Sequence, residues 1–210
     1  MTTAFQTVFD RAESIGINRQ PVVAQTISRN NTIRNISRGG AIWRFEVRLP
    51  DGIPWRELRL AIEEIEQLGK TTAGTINLNN AGYTDWLMPY RGNSTNLSGW
   101  TADWLPGTTA LQDVQAQGVT SGYSIRKGDL IQLGVGGHVY TSQTDLAWNS
   151  TGPVTLNRAI VDDAAADGTI LIGPANVTWS VYCVQLPTWT IFARDQVSWS
   201  GPFVFYEAMV

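Results

Sequence analysis

The chain has 210 residues and a mass of 23.1 kDa, enough for one large domain or two small ones with a real core. Apolar residues make up 43% and charged residues only 16%, which argues against disorder, and no apolar run approaches the roughly 18 to 20 residues of a membrane helix. With one cysteine (Cys183), one histidine (His138) and a formal charge of −3, an internal disulfide and a cysteine-based zinc site are excluded and little remains for metal or triad chemistry.

Met1 to Arg11 lacks a basic stretch followed by an apolar block, so no secretory signal is expected. Pro21 to Leu49 then reads as three strands with two tight connections. Val22 to Ser28 is β-branched and apolar, and Asn30-Asn31 offers the left-handed-tolerant residues of a hairpin turn. Thr32 to Ser37 forms the second strand, with Gly39-Gly40 as the second turn. Ala41 to Leu49 alternates cleanly. Trp43, Phe45, Val47 and Leu49 point one way and Arg44, Glu46 and Arg48 the other, as in a half-buried strand with a wet or partner-facing side.

Pro50-Asp51-Gly52 breaks that strand, and Pro54 suits a first helical turn. Trp55, Leu58, Ile62, Ile65 and Leu68 recur at helical spacing, so an amphipathic helix should pack this stripe onto the sheet and close at Gly69. From Arg91 to Ser124 the chain turns polar, interrupted by Trp100, Trp104 and the turn signal Pro106-Gly107, which marks a domain boundary. Five short strands are expected beyond it: Asp129–Leu133, His138–Ser142, Val154–Val161, Thr169–Ile172 and Val177–Leu186. Gly134 to Gly137, Asn149 to Pro153 and Asp162 to Gly168 separate them, the pattern of a small sandwich or OB-type barrel. The tail from Thr188 is strand-like again, anchored by Trp199, Phe203 and Phe205.

Motifs of catalysis are weak. Gly69-Lys70-Thr71 resembles the end of a phosphate-binding loop, but it closes a helix instead of opening one, and Glu64 stands where the first glycine should be. Gly134-Val135-Gly136-Gly137 leads into a strand and reads as a hairpin loop, not a dinucleotide fingerprint. His138 sits in an alternating strand, and Gly118 to Gly122 carries Thr120 where a nucleophile elbow needs serine. Asp162, Asp163 and Asp167 form an acidic turn without calcium-loop spacing. The expectation is a protein that is not an enzyme and holds neither metal nor cofactor.

Charge is uneven along the chain. Residues 1–70 carry a net +2 and residues 71–210 a net −5, and thirteen of the fifteen cations are arginine. Six arginines and one acid, Glu46, lie between Arg19 and Arg48. Arginine suits planar, bidentate pairing, so Arg34, Arg38, Arg44, Glu46 and Arg48 are candidates for a subunit interface. A nucleic-acid reading would need an aromatic platform with basic neighbours in the second barrel, which carries the acidic excess instead. Of nine tryptophans, Trp43 and Trp55 read as core and Trp179 and Trp199 as further core. Trp100 and Trp104 are left as candidate partner anchors or sugar-stacking rings.

The segment Gln25–Leu49 with Arg38-Gly39-Gly40 and Trp43-x-Phe45, followed by Pro54-Trp55, resembles the first domain of phage distal tail proteins. Pro89-Tyr90-Arg91-Gly92-Asn93-Ser94 leads into a second module in the same way. Lys127-Gly128-Asp129-Leu130-Ile131-Gln132-Leu133 and His138-Val139-Tyr140 resemble that family's inserted barrel. Gln196-Val197-Ser198-Trp199 and Phe203 to Glu207 resemble its returning strands.

The resemblance implies a mainly β fold. A sheet domain with one packed α-helix is built from residues 1–92 and 185–210, and an OB-like β-barrel from 93–184 is inserted between them. It also implies a structural virion protein of the siphophage tail tip, assembled in the host cytoplasm. Six copies would form a ring joining the tail tube protein to the baseplate hub protein and fibres, with DNA only passing through the lumen and no membrane insertion. Enlarged members carry an appended carbohydrate-binding module that is not expected after Val210. The competing readings are a carbohydrate-binding tail adhesin using Trp100 and Trp104, and an OB-type single-stranded nucleic-acid binder.

Overall fold

The computed structural model describes residues 3–27, 33–78, 97, 99–117 and 123–209, and of residues 20–40 the backbone alone. The chain is mainly β and divides into two compact units, Met1–Ile76 with Ser180–Val210, and Asn77–Trp179. In chain order come α1 (Ala4–Asp10), β1 (Ser14–Ile27), β2 (Ile33–Arg48), β3 (Ile53–Pro54), α2 (Trp55–Leu68) and β4 (Gly74–Ile76). The second unit supplies β5 (Trp100–Trp104), β6 (Ala110–Ala116), β7 (Leu130–Leu133), β8 (Val139–Thr141), β9 (Gly152–Thr155) and β10 (Ala165–Ile172). The chain then returns as β11 (Trp179–Gln185), β12 (Trp189–Phe192), β13 (Gln196–Trp199) and β14 (Phe203–Glu207). The unit bounds fall earlier than the expected 93 and 185. β4 is the last strand of the first pass through the first sheet, and β11 pairs with β14 from Val181 onward.

In the first unit the main sheet runs β1-β2-β14-β11-β4, and a small sheet runs β12-β13-β3. Both chain ends therefore share one core. The expected alternation holds on β2: Trp43, Phe45, Val47 and Leu49 are buried, Arg44 and Glu46 half-buried, and Arg48 exposed. The short helix α1 was not anticipated, although Phe5, Val8 and Phe9 sit at helical spacing. It packs Phe9 against Phe205 and Phe45, with ring centroids 5.1 and 5.8 Å apart. Thr3 caps it, its hydroxyl oxygen accepting from the Gln6 N–H at 3.2 Å while donating to the Thr75 carbonyl. Thr3→Ala should cost about 1 kcal/mol, read from the urea midpoint.

Gly39-Gly40 is not a turn. β2 is continuous from Ile33 to Arg48, and pairing with β1 jumps from Pro21↔Ala41 to Val23↔Ser37. The diglycine thus sits in a bulge of β2 between the Pro21↔Ala41 and Val23↔Ser37 pairs, an irregularity of the ladder where sheets tolerate glycine and, on the facing strand, proline. The expected Asn30-Asn31 turn lies outside the described residues, as do Pro89 to Ser94 and Gly118 to Gly122.

α2 begins after Pro54 and ends at Gly69, burying Leu58, Ala61, Ile62 and Ile65. Each of the three larger side chains contributes roughly 1.5–3 kcal/mol by leaving water. Trp55 departs from the expected core role. It is half-buried and stacks on Trp189 with ring centroids 5.5 Å apart.

The second unit is an antiparallel sheet in the order β8-β7-β10-β5-β6-β9. It curls until its edges meet. Ser142 bridges Leu156, and the Asn157 N–H donates to the Thr141 carbonyl at 3.0 Å, so the strands enclose a barrel core. β5 and β6 fall in the stretch expected to be irregular. Trp100, Ala102 and Trp104 alternate inward while Thr101 and Asp103 face outward. The expected turn Asp162 to Gly168 is half strand: β10 starts at Ala165 and shifts register before Gly168, with Asp167 at φ +50°. Only glycine fits at 168, because a Cβ there would lie 2.2 Å from the Trp104 ring.

Candidate functional site

The outward face of β2 is the strongest surface candidate from the sequence, and Arg44, Glu46 and Arg48 alternate along it. Arg44 pairs with Glu46 along the same face and its guanidinium lies 5.9 Å from the Tyr206 ring centroid. The Arg44 Nε is buried without a hydrogen-bond partner among the described residues. Arg48 is exposed and makes no ion pair among the described residues. The base of β2 therefore presents one neutralised pair and one open cation. Arg34 and Arg38 lie farther along β2, where Arg34 pairs with Thr26 of β1; their side chains fall outside the described residues.

The backbone of this hairpin carries a second feature. β14 covers β2 only from Arg44 to Val47, whereas β1 pairs with β2 from Arg48 back to Ile33. Beyond Trp43 the hairpin is a two-stranded ribbon with no further strand on either edge among the described residues. Where β14 ends, the Trp43 N–H donates to the Glu207 carboxylate at 3.2 Å. At that point the Arg19 guanidinium lies 5.5 Å from the Trp43 ring centroid.

The small sheet offers a third. β12 is an edge strand, and Ile191 and Phe192 on it are 50% and 55% exposed. Trp189 on the same strand is half-buried and stacks on Trp55, with the half-buried Trp199 ring tilted against it. An apolar, unpaired edge strand is a surface that native chains normally cover.

Trp100 is not an anchor, and Trp104 is nearly buried. Trp100 has no exposed surface and Trp104 is 6% exposed, both within the barrel core. The Trp104 indole N–H donates to the Asp163 carbonyl at 2.7 Å, which fixes it further. Their polar neighbours in sequence are simply the outward half of a narrow barrel's strands. The same burial takes Tyr123 and Tyr140 out of play as base-stacking rings, and Arg158, 4% exposed, lies 4.9 Å from the Tyr140 ring instead of facing water.

His138 is a structural residue. Asp162 accepts from its backbone N–H at 2.8 Å, lies 3.1 Å from its Nδ1, and accepts from the Tyr140 hydroxyl at 2.5 Å. These bonds outweigh burial and hold the Asp162 carboxyl below the usual carboxylate range, while burial and Asp162 push Tyr140 up. Asp162 thus ties the β7–β8 loop to the segment entering β10, which is what the acidic turn does here. Asp129 has no exposed surface and is pushed up to about 6, chiefly by burial. Burial likewise pushes the Cys183 thiol up to about 11, so it is a poor nucleophile. Gly69-Lys70-Thr71 follows the C-terminus of α2, and Gly134 to Gly137 is the β7–β8 hairpin loop. Among the described residues no cluster of three or more His, Cys, Asp or Glu could hold a metal ion.

No family model matches the chain, and no curated protein matches it either.

Proposed function

We propose that this protein is a structural connector that works by assembling with copies of itself, as a ring of the distal tail protein kind at a phage tail tip. The observation that carries this reading is the β1–β2 ribbon. An isolated two-stranded hairpin is marginal in water, so a ribbon reaching beyond its own sheet calls for a neighbouring surface. Its sequence, with arginine at 19, 29, 34 and 38, is built for fixed polar pairing. The exposed apolar edge of β12 adds a second surface of different character. Two unlike surfaces on one subunit are what a head-to-tail ring requires, and obligate contacts of this sort bury about 2,000 Å² or more.

Light scattering and negative-stain images of the purified chain test the reading. A closed ring, six-fold if the family resemblance holds, is the expected result, and a monomer at high concentration would sink it. Reversing Arg44 and Arg48 together to glutamate should shift the ring towards monomer. Arg48→Glu alone leaves the Arg44–Glu46 pair intact, so it separates a lost interface from a damaged strand. An undisturbed ring in both variants would remove this face from the interface.

A further inference from the structure

Among the described residues of the second unit, the exposed large apolar side chains are Leu105, Val135 and Val161, at 61%, 94% and 46% exposure. The topology gathers all three at one end of the barrel. Ala165 pairs with Trp104 at the end of β5, Gly134 N–H donates to the Thr169 carbonyl, and Gly107 N–H donates to the Ile160 carbonyl. His138, closing the loop that carries Val135, is bonded to Asp162 beside Val161. Into the same end opens a groove of about 530 Å³, lined by Trp104, Leu105, Ala110 and the small side chains of Ala164, Ala165 and Ala166.

Among the described residues of this unit, the charge at this end has one sign. Asp103 lines the groove, with one oxygen accepting the Asp167 N–H at 2.6 Å, and Asp163 and Asp167 are exposed beside it. Asp162 is taken up by His138 and Tyr140. The unit's described cations are elsewhere. Arg158 is buried, and Arg126 and Lys127 lie at the opposite end, bonded to Asp145 where β7 begins. An apolar groove rimmed by uncompensated carboxylates repels nucleic acid and anionic lipid, and it complements chains that are apolar and basic at once.

We propose that this end of the barrel docks an extended segment of another protein in which aliphatic side chains alternate with lysine or arginine. The aliphatic groups seat against Trp104 and Ala164 to Ala166, and the cations face Asp103 and Asp163. This does not depend on ring formation, which is read separately from the mass of the particle.

The test is a nuclear magnetic resonance titration of the full chain with a hexapeptide alternating lysine and leucine, and with its glutamate–leucine counterpart. The lysine peptide should shift the Trp104 indole N–H and the amides of 103–112, 134–138 and 161–167 saturably. The glutamate peptide should leave them in place. The double variant Val135→Ser, Asp163→Asn changes two exposed side chains and should bind roughly tenfold more weakly. No saturable shift, shifts spread over other surfaces, equal binding of both peptides, or an unchanged affinity in the double variant would each overturn the proposal.

Discussion

Trp100→Ala is expected to cost about 3–5 kcal/mol of barrel stability, the largest effect of any single truncation considered. Trp100 is wholly buried at the start of β5, among Leu111, Val114, Ile131, Tyr140 and Ile172. Removing the indole deletes its contacts with that core and leaves a cavity that a closed barrel collapses around only partly. The measurement also separates two functions. A ring that anchored a sugar or a partner from the surface would lose binding on truncation and leave the urea midpoint nearly unmoved. A core ring moves the midpoint. An unchanged midpoint would return Trp100 to the surface and reopen the adhesin reading.

The reason Trp100 looked available in the sequence is instructive about what one-dimensional pattern carries. Trp100 and Trp104 stand among Thr, Ser, Asn and Gly, and averaged over a window that segment is polar. Read at period two, Trp100, Ala102 and Trp104 are one face of a strand and Thr101 and Asp103 the other. The Ala41–Leu49 strand was legible because its inward face is uniformly large and apolar, and α2 because its stripe spans four turns. Gly39-Gly40 reads as a turn for a different reason. A tight turn and a bulge ask the same freedom of the backbone, and only the pairing to β1, which resumes at Val23↔Ser37, tells them apart.

The surfaces divide in the same way. The Arg44, Glu46 and Arg48 face is a local property of one strand and follows from alternation. The overhang of the ribbon depends on where β14 stops pairing with β2, which no segment of β2 encodes. The barrel-end cluster depends on three connections, around 105, 135 and 161, that meet only once the sheet has curled. Leu105, Val135 and Val161 are each an ordinary loop residue in sequence, and their shared end of the barrel is a tertiary fact.

Asp129→Asn is expected to abolish most of the dependence of barrel stability on pH between about 4 and 7. Gly128, at φ +98°, turns the chain into β7, and its N–H donates to the Ser142 carbonyl. The Asp129 carboxylate closes that turn, accepting from the Arg126 N–H at 2.7 Å and the Tyr123 hydroxyl at 3.2 Å. These two bonds favour the ionised form, but burial opposes it and wins, so the carboxyl sits at about 6 against an ordinary 3.8. That difference is worth roughly 3 kcal/mol. Because the folded state holds the proton more tightly than the unfolded one, the stabilisation is fully present below pH 3.8 and is lost as pH rises through 6. Asp162 works in the opposite sense, since its carboxyl is held below the usual range and its contribution fades only in more acidic solution. Asparagine keeps an acceptor for Arg126 and can donate to the Tyr123 oxygen, so the turn survives without a buried charge. Urea denaturation followed by tryptophan fluorescence at pH 5 and pH 7.5 should show the parent losing stability at the higher pH and the variant holding level. A variant that kept the parent's slope would assign the titration to another group and leave Asp129 as a hydrogen-bond acceptor alone.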